Sequence, residues 1–184
     1  FIHINFIIHA MQEFLNIAHT IGSSVDLAQG PGGNISFIKG DVMYVKASGY
    51  FLKDIQAGQG YVICSHVPVR DYLFTLSPFP SDPETALNTL IEQHIHPRKS
   101  FGIASIETGM HAVLPSRFVI HTHPIYCNVF LCMQEGKKFL HTIFQRQAFL
   151  YIPYANPGFF LSHKLAGEVK KIKNIPSVIF LENH

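Results

Sequence analysis

The sequence predicts an α/β domain built on a mixed or antiparallel sheet, and three observations carry that reading. Helical and strand-like apolar patterns alternate along 184 residues without repeats or low-complexity linkers. Several strand-like runs are joined by short turns, which favour antiparallel neighbours over a doubly wound parallel sheet. Apolar residues make up 47% and charged residues 14%, enough for a single buried core.

Residues 8–21 put Ile8, Met11, Leu15 and Ala18 on one helical face. The A-Q-G-P-G-G-N-I-S stretch from Ala28 to Ser36 is a loop that cannot be regular structure. Residues 35–38 and 42–46 flank Lys39-Gly40-Asp41 as a hairpin, and residues 60–66 form a further strand ended by Pro68. Ser81-Asp82-Pro83-Glu84 opens a helix. Asp82 caps it, Pro83 suits its first position, and Glu84 stands three after Ser81 as in a capping box. Leu87, Leu90 and Ile91 supply its buried face. A short helix over 108–114 stops at Pro115, and a strand over 118–123 stops at Pro124. A helix over 125–133, strands over 139–144 and 149–154, an amphipathic helix over 157–172 and a buried strand over 177–182 complete the chain.

A formal net charge of +2 is too small to argue for nucleic acid or an anionic membrane surface as partner. The apolar N-terminus has no basic flank and no long apolar run, so neither a signal peptide nor a spanning helix is expected. Cys64, Cys127 and Cys132 form neither a C-x-x-C pair nor an even framework, which predicts free thiols in a reducing, cytoplasmic setting. The chain starts without methionine and stops on Leu181-Glu182-Asn183-His184. Both ends read as cut from something longer.

The chemistry begins at R-F-V-I-H-T-H-P, residues 117–124. Two apart on a strand, His121 and His123 face the same way and can clamp one metal ion. The pair alone is equally consistent with two half-buried histidines facing a polar layer. His94-Ile95-His96 repeats the pattern at a helix end, where the side chains diverge and serve terminal carbonyls instead. A catalytic zinc needs three protein ligands and an open position. The P-I-Y-C-N that follows His123 offers no nearby acid, and Cys127 within it reads as packing. Glu107 upstream and His184 downstream are the remaining groups of interest.

Five ordered motifs now make the chain resemble the class II aldolase/adducin family. G-G-N-I-S (residues 32–36) is similar to the family's phosphate loop, and V-K-A-S-G (residues 45–49) to its next element. A-S-I-E-T-G-M-H (residues 104–111) resembles the P-S-x-E-x-x-x-H segment, with Ala104 at the usual proline. V-I-H-T-H-P and F-L-E-N-H resemble the stretches carrying two zinc histidines and the third. The resemblance implies a three-layer α/β/α domain over residues 1–184, lacking its C-terminal helix, with a central mixed, mostly antiparallel sheet. It implies one Zn2+ per chain on His121, His123 and His184, with Glu107 as catalytic acid/base and a further candidate ligand. Gly33, Asn34, Ser48, Gly49 and Ser105 would hold a substrate phosphate. The implied activity is retro-aldol cleavage of a phosphorylated ketose, through an enediolate on zinc, to dihydroxyacetone phosphate and an aldehyde. An epimerase, a dehydratase or a non-catalytic adducin-like module are the alternatives on that scaffold. Glutamate at 107 favours the aldolases over the pentulose-phosphate epimerases, which tend to carry aspartate. The partner calls are a phosphorylated sugar, no nucleic acid, no membrane, and a homotetramer by resemblance. The family's tyrosine acid is not matched, for F-L-H-T-I-F (residues 139–144) offers His141 and Thr142 instead.

Overall fold

The glycine turn at Gly40 generates the first hairpin of the computed structural model, which describes residues 2–97 and 99–184. β1 (Asn34–Lys39) pairs antiparallel with β2 (Val42–Lys46), and Gly40 takes φ 57° between them, where glycine is unstrained. β3 (Tyr61–Ser65) joins β2 and β4 (Phe118–His121) joins β1, both antiparallel, giving the order β3-β2-β1-β4. β5 (Phe149–Ile152) and β6 (Val178–Leu181) form a parallel ladder of two. The four-stranded sheet is wholly antiparallel, and the parallel pair stands apart as a second sheet of two strands, so strand pairing in the domain is mainly antiparallel.

Period-two alternation sends Met43, Val45, Val62 and Cys64 into a core on one face and Ile35, Phe37, Tyr61 and Ile63 into a core on the other. α2 (His66–Thr75), α3 (Pro83–Gln93), α4 (Thr108–Val113) and α7 (Phe159–Val169) cover the first face. α1 (Ile2–Gly22) covers the second through Ala10, Phe14, Leu15 and Ala18. Phe14 meets Phe37 edge-on at 5.4 Å, and both are fully buried. α5 (Ile125–Leu131) and α6 (Gly136–Ile143) pack Leu131 and Leu140 against Phe180 of β6 in a third, smaller cluster. Between β4 and β6 lies a cavity of about 330 Å³ lined by Ile120, His121, Cys127, Ile179 and His184.

Several sequence expectations change. Residues 66–75 form α2 instead of ending a strand, because Pro68 falls in a first helical turn, where a missing N–H costs nothing. The strand expected over 139–144 is α6: Leu140 faces inward while Phe139 and Ile143 are exposed, a helical distribution mistaken for a continuous apolar run. The helix near 157–172 is shorter, starting after Gly158 at φ 89°. The cap expected at α3 forms, with Asp82 Oδ1 accepting from Thr85 N at 3.1 Å. Glu84 does not complete a box there; its Oε2 accepts from Phe159 N at 2.7 Å and caps α7 instead. No described helix is long and apolar enough to cross a membrane.

Candidate metal centre

The site forms where β4 ends, α4 begins and β6 turns. Strand β4 stops at His121, so strand alternation does not place His123. His123 reaches the same place because its N–H donates to Leu27 O at 2.9 Å, which pins the T-H-P segment against the loop before β1. Gly33 makes that approach possible. At φ 75° it runs so close to β4 that a Cβ would lie 3.1 Å from His121 O. His184 arrives from the opposite side, where Asn183 takes a left-handed φ of 52° that asparagine tolerates. Asn183 N donates to Leu131 O at 3.1 Å, so α5 helps fix the turn.

The three rings converge. His121 Nε2 lies 2.9 Å from His123 Nε2 and 3.1 Å from His184 Nε2. Glu107 Oε1 stands 3.3 Å from His121 Nε2 and 3.7 Å from His184 Nε2. One ligand atom from each of these four residues lies within 4.8 Å of all the others. A single imidazole nitrogen has one proton or one lone pair, so His121 Nε2 cannot satisfy two nitrogens and a carboxylate at once. A cation among them satisfies all four. Ligands about 2.0–2.1 Å from a tetrahedral ion sit about 3.3 Å from one another, close to the spacing found here.

The electrostatics agree. Burial, opposed by the Glu107 charge and reinforced by the neighbouring histidines, pushes His121 down to about 3. His123 is also pushed down, chiefly by burial. Both imidazoles are therefore neutral at physiological pH, the form that ligates. Burial pushes Glu107 up, but His184, His121, His111 and Asn34 together outweigh it and leave the carboxyl at about 2. Glu107 is a charged carboxylate, not a group poised near neutrality.

The expected phosphate residues gather only in part. Asn34 is buried, with its Oδ1 accepting from Ile35 N at 2.8 Å, and its side chain helps to keep the Glu107 carboxylate ionised. The Ala47–Ala104 bridge brings Ser48 and Gly49 to the segment carrying Ser105. Ser48 N is already committed to Ile103 O at 2.9 Å, and Ser105 Oγ accepts from Glu107 N at 3.2 Å, so these hydroxyls, not those amides, remain to donate. Gly49 is exposed at φ 79° with open space around it. His141 and Thr142 lie exposed on α6, outside the cluster. His94 behaves as expected for a helix end, with Nδ1 2.8 Å from Leu90 O.

Lys46 was not singled out from the sequence. It is 3% exposed, donates to Pro31 O at 3.1 Å, and joins the glycine loop to the Ser48 turn. Burial lowers its pKa while the Glu107 carboxylate raises it. A lysine closing an apolar β-run, V-M-Y-V-K, was the available signal.

The domain pairs mainly antiparallel strands with three histidines and a carboxylate that converge and could hold a metal ion. The family model for the class II aldolase and adducin N-terminal domain matches residues 12–184, and the chain belongs to that family. The chain is 30% identical over 189 residues to an uncharacterised oxidoreductase, YuxG, of Bacillus subtilis (strain 168), covering 95% of this chain and 25% of that protein. It thus spans about a quarter of the length of that curated relative. Among solved structures, the N-terminal class II aldolase domain of a conserved protein from Thermoplasma acidophilum superposes with a TM-score of 0.77 at 24% identity, covering 94% of this chain and 79% of that one. The l-fuculose-1-phosphate aldolase of Thermus thermophilus superposes with a TM-score of 0.53 at 12% identity, covering 93% and 74%. Both likenesses speak to the fold.

Proposed function

We propose that residues 1–184 form one domain of a zinc-dependent aldolase that cleaves a phosphorylated ketose to dihydroxyacetone phosphate and an aldehyde. The observation that carries the reading is the convergence of His121, His123, His184 and Glu107, whose ligand atoms lie within 4.8 Å of one another. His121, His123 and His184 would hold the ion, which supplies Lewis-acid stabilisation for negative charge developing on substrate oxygens, worth several kcal/mol. Glu107, ionised at neutral pH, is the base that takes the substrate proton and returns it at carbon. Gly33, Asn34, Ser48, Gly49 and Ser105 would hold the substrate phosphate, with Lys46 supplying positive charge beneath the glycine loop. Ser105 and Asn34 also brace Glu107, which ties phosphate binding to the base.

Two rival readings are weaker. An epimerase or dehydratase would use the same ion and base on another bond. A non-catalytic adducin-like module has no use for four converging ligands. The YuxG likeness leaves room for an oxidoreductase function in a longer protein, outside the length matched here. A homotetramer of cytoplasmic chains is the assembly the family reading supports.

The test is aldol cleavage of a panel of ketose-1-phosphates by the zinc-loaded chain, followed through dihydroxyacetone phosphate release. Glu107→Gln should keep zinc and lose most turnover, by about 10²–10⁴-fold for a general base. Full activity in that variant removes the assigned role, and no cleavage of any substrate by the wild type removes the aldolase reading.

A further inference from the structure

His111 has no part in the chemistry just described, yet it is 0% exposed. It lies one turn beyond Glu107 on α4, its N–H donating to Glu107 O at 3.1 Å. Its Nδ1 lies 2.8 Å from the hydroxyl of Ser36, which is also fully buried. Ser36 sits mid-sheet on β1, in register with Val45 of β2 and Val119 of β4, two residues before His121. The bond holds in either ring tautomer, because a hydroxyl both donates and accepts. The other ring nitrogen, Nε2, has no hydrogen-bond partner, and the charges of Glu107 and Lys46 act on the ring. A buried imidazole with one unsatisfied nitrogen is costlier than an apolar side chain of similar volume. Packing alone therefore does not account for a histidine here.

We infer that His111 is a positioning residue for Glu107. The Ser36–His111 bond ties the first turn of α4 to the strand beside β4, and so fixes the Glu107 carboxylate against His121. The inference rests on Glu107 belonging to the metal centre. It asks nothing of the substrate.

The experiment uses cobalt(II) as the probe, read by calorimetric titration and by its visible absorption band. An asparagine amide mimics Nδ1 and a glutamine amide mimics Nε2, so the two variants separate the nitrogens. His111→Asn should keep the wild-type band and an affinity within about twofold. His111→Gln should shift the band and weaken binding by about 10-fold or more, the usual loss when a supporting partner of a metal site is removed. Ser36→Ala should do the same with little change in packing, which covers the case of a poorly folded His111 variant. In a Glu107→Gln background Ser36→Ala should change affinity no further, since the coupling runs through Glu107. Equal behaviour of the Asn and Gln variants, or additivity of Ser36→Ala with Glu107→Gln, would overturn the inference. A wild-type chain that binds no cobalt overturns the metal reading itself, and this inference with it.

Discussion

The two halves that meet at the candidate metal centre are held by very different amounts of structure. Glu107, His121 and His123 belong to the four-stranded half, where β1 is paired on both edges and flanked by two cores rich in fully buried residues. His184 follows β6, in a ladder of two strands backed on one side by α7 and on the other by the small Leu131–Leu140–Phe180 cluster. His121 is set by the strand pairing and Glu107 by the start of α4, while His123 is held by its bond to Leu27 O. His184, the fourth group, depends on a turn at Asn183 and its bond to Leu131 O. Metal affinity should therefore be lost in two distinguishable ways, with the fold or without it.

The largest effect is expected at Phe37, fully buried and stacked on Tyr44 at 4.3 Å. Phe37→Ala should cost about 3–5 kcal/mol in a denaturant melt, and metal binding should fall because the folded population falls. Leu140→Ala, in the small cluster, should weaken metal binding while β1 and β2 keep their hydrogen-exchange protection. Equal loss of protection in both halves would show that they are one cooperative unit and that the contrast is false.

The effect of pH is smaller. In the metal-free protein burial holds His121 at about 3 and His111 at about 4, below their ordinary 6.5. Above pH 6.5 both are neutral folded or unfolded, so they add no pH dependence. As pH falls below 6.5 the unfolded chain takes up protons that the folded chain refuses, and stability drops by up to about 1.4 kcal/mol per pH unit for each histidine. Glu107 adds its own loss only below its ordinary 4.5, as pH falls toward about 2. Denaturant melts of the metal-free chain at pH 7 and 5 should show the decline, with a shallower slope for His111→Asn. An unchanged stability over that range would contradict the burial argument.

What the sequence disclosed and what it withheld divide along the same line. The glycine turns were legible because each depends on local backbone geometry, and Asp82 at the start of α3 was legible for the same reason. His123, by contrast, is placed by its bond to Leu27 O, and Glu107 needed the resemblance. The metal cluster as a whole needed the resemblance, since nothing in the spacing of His121 and His184 says that β6 returns beside β4. α6 was misread because Phe139, Leu140, Ile143 and Phe144 fit either period when read as a short run. Lys46, the Ser36 partner of His111 and the Glu84 cap on α7 were invisible because each pairing joins residues far apart along the chain. Lys46 meets Pro31 O and His111 meets Ser36, contacts that tertiary packing alone creates.

The central claim is that one metal ion joins the two halves through three histidines. Zinc analysis of the chain and of His121→Ala/His123→Ala, after identical loading and dialysis, tests it most directly. The account predicts about one ion per wild-type chain and none in the double variant. Stoichiometric zinc in the double variant would contradict it.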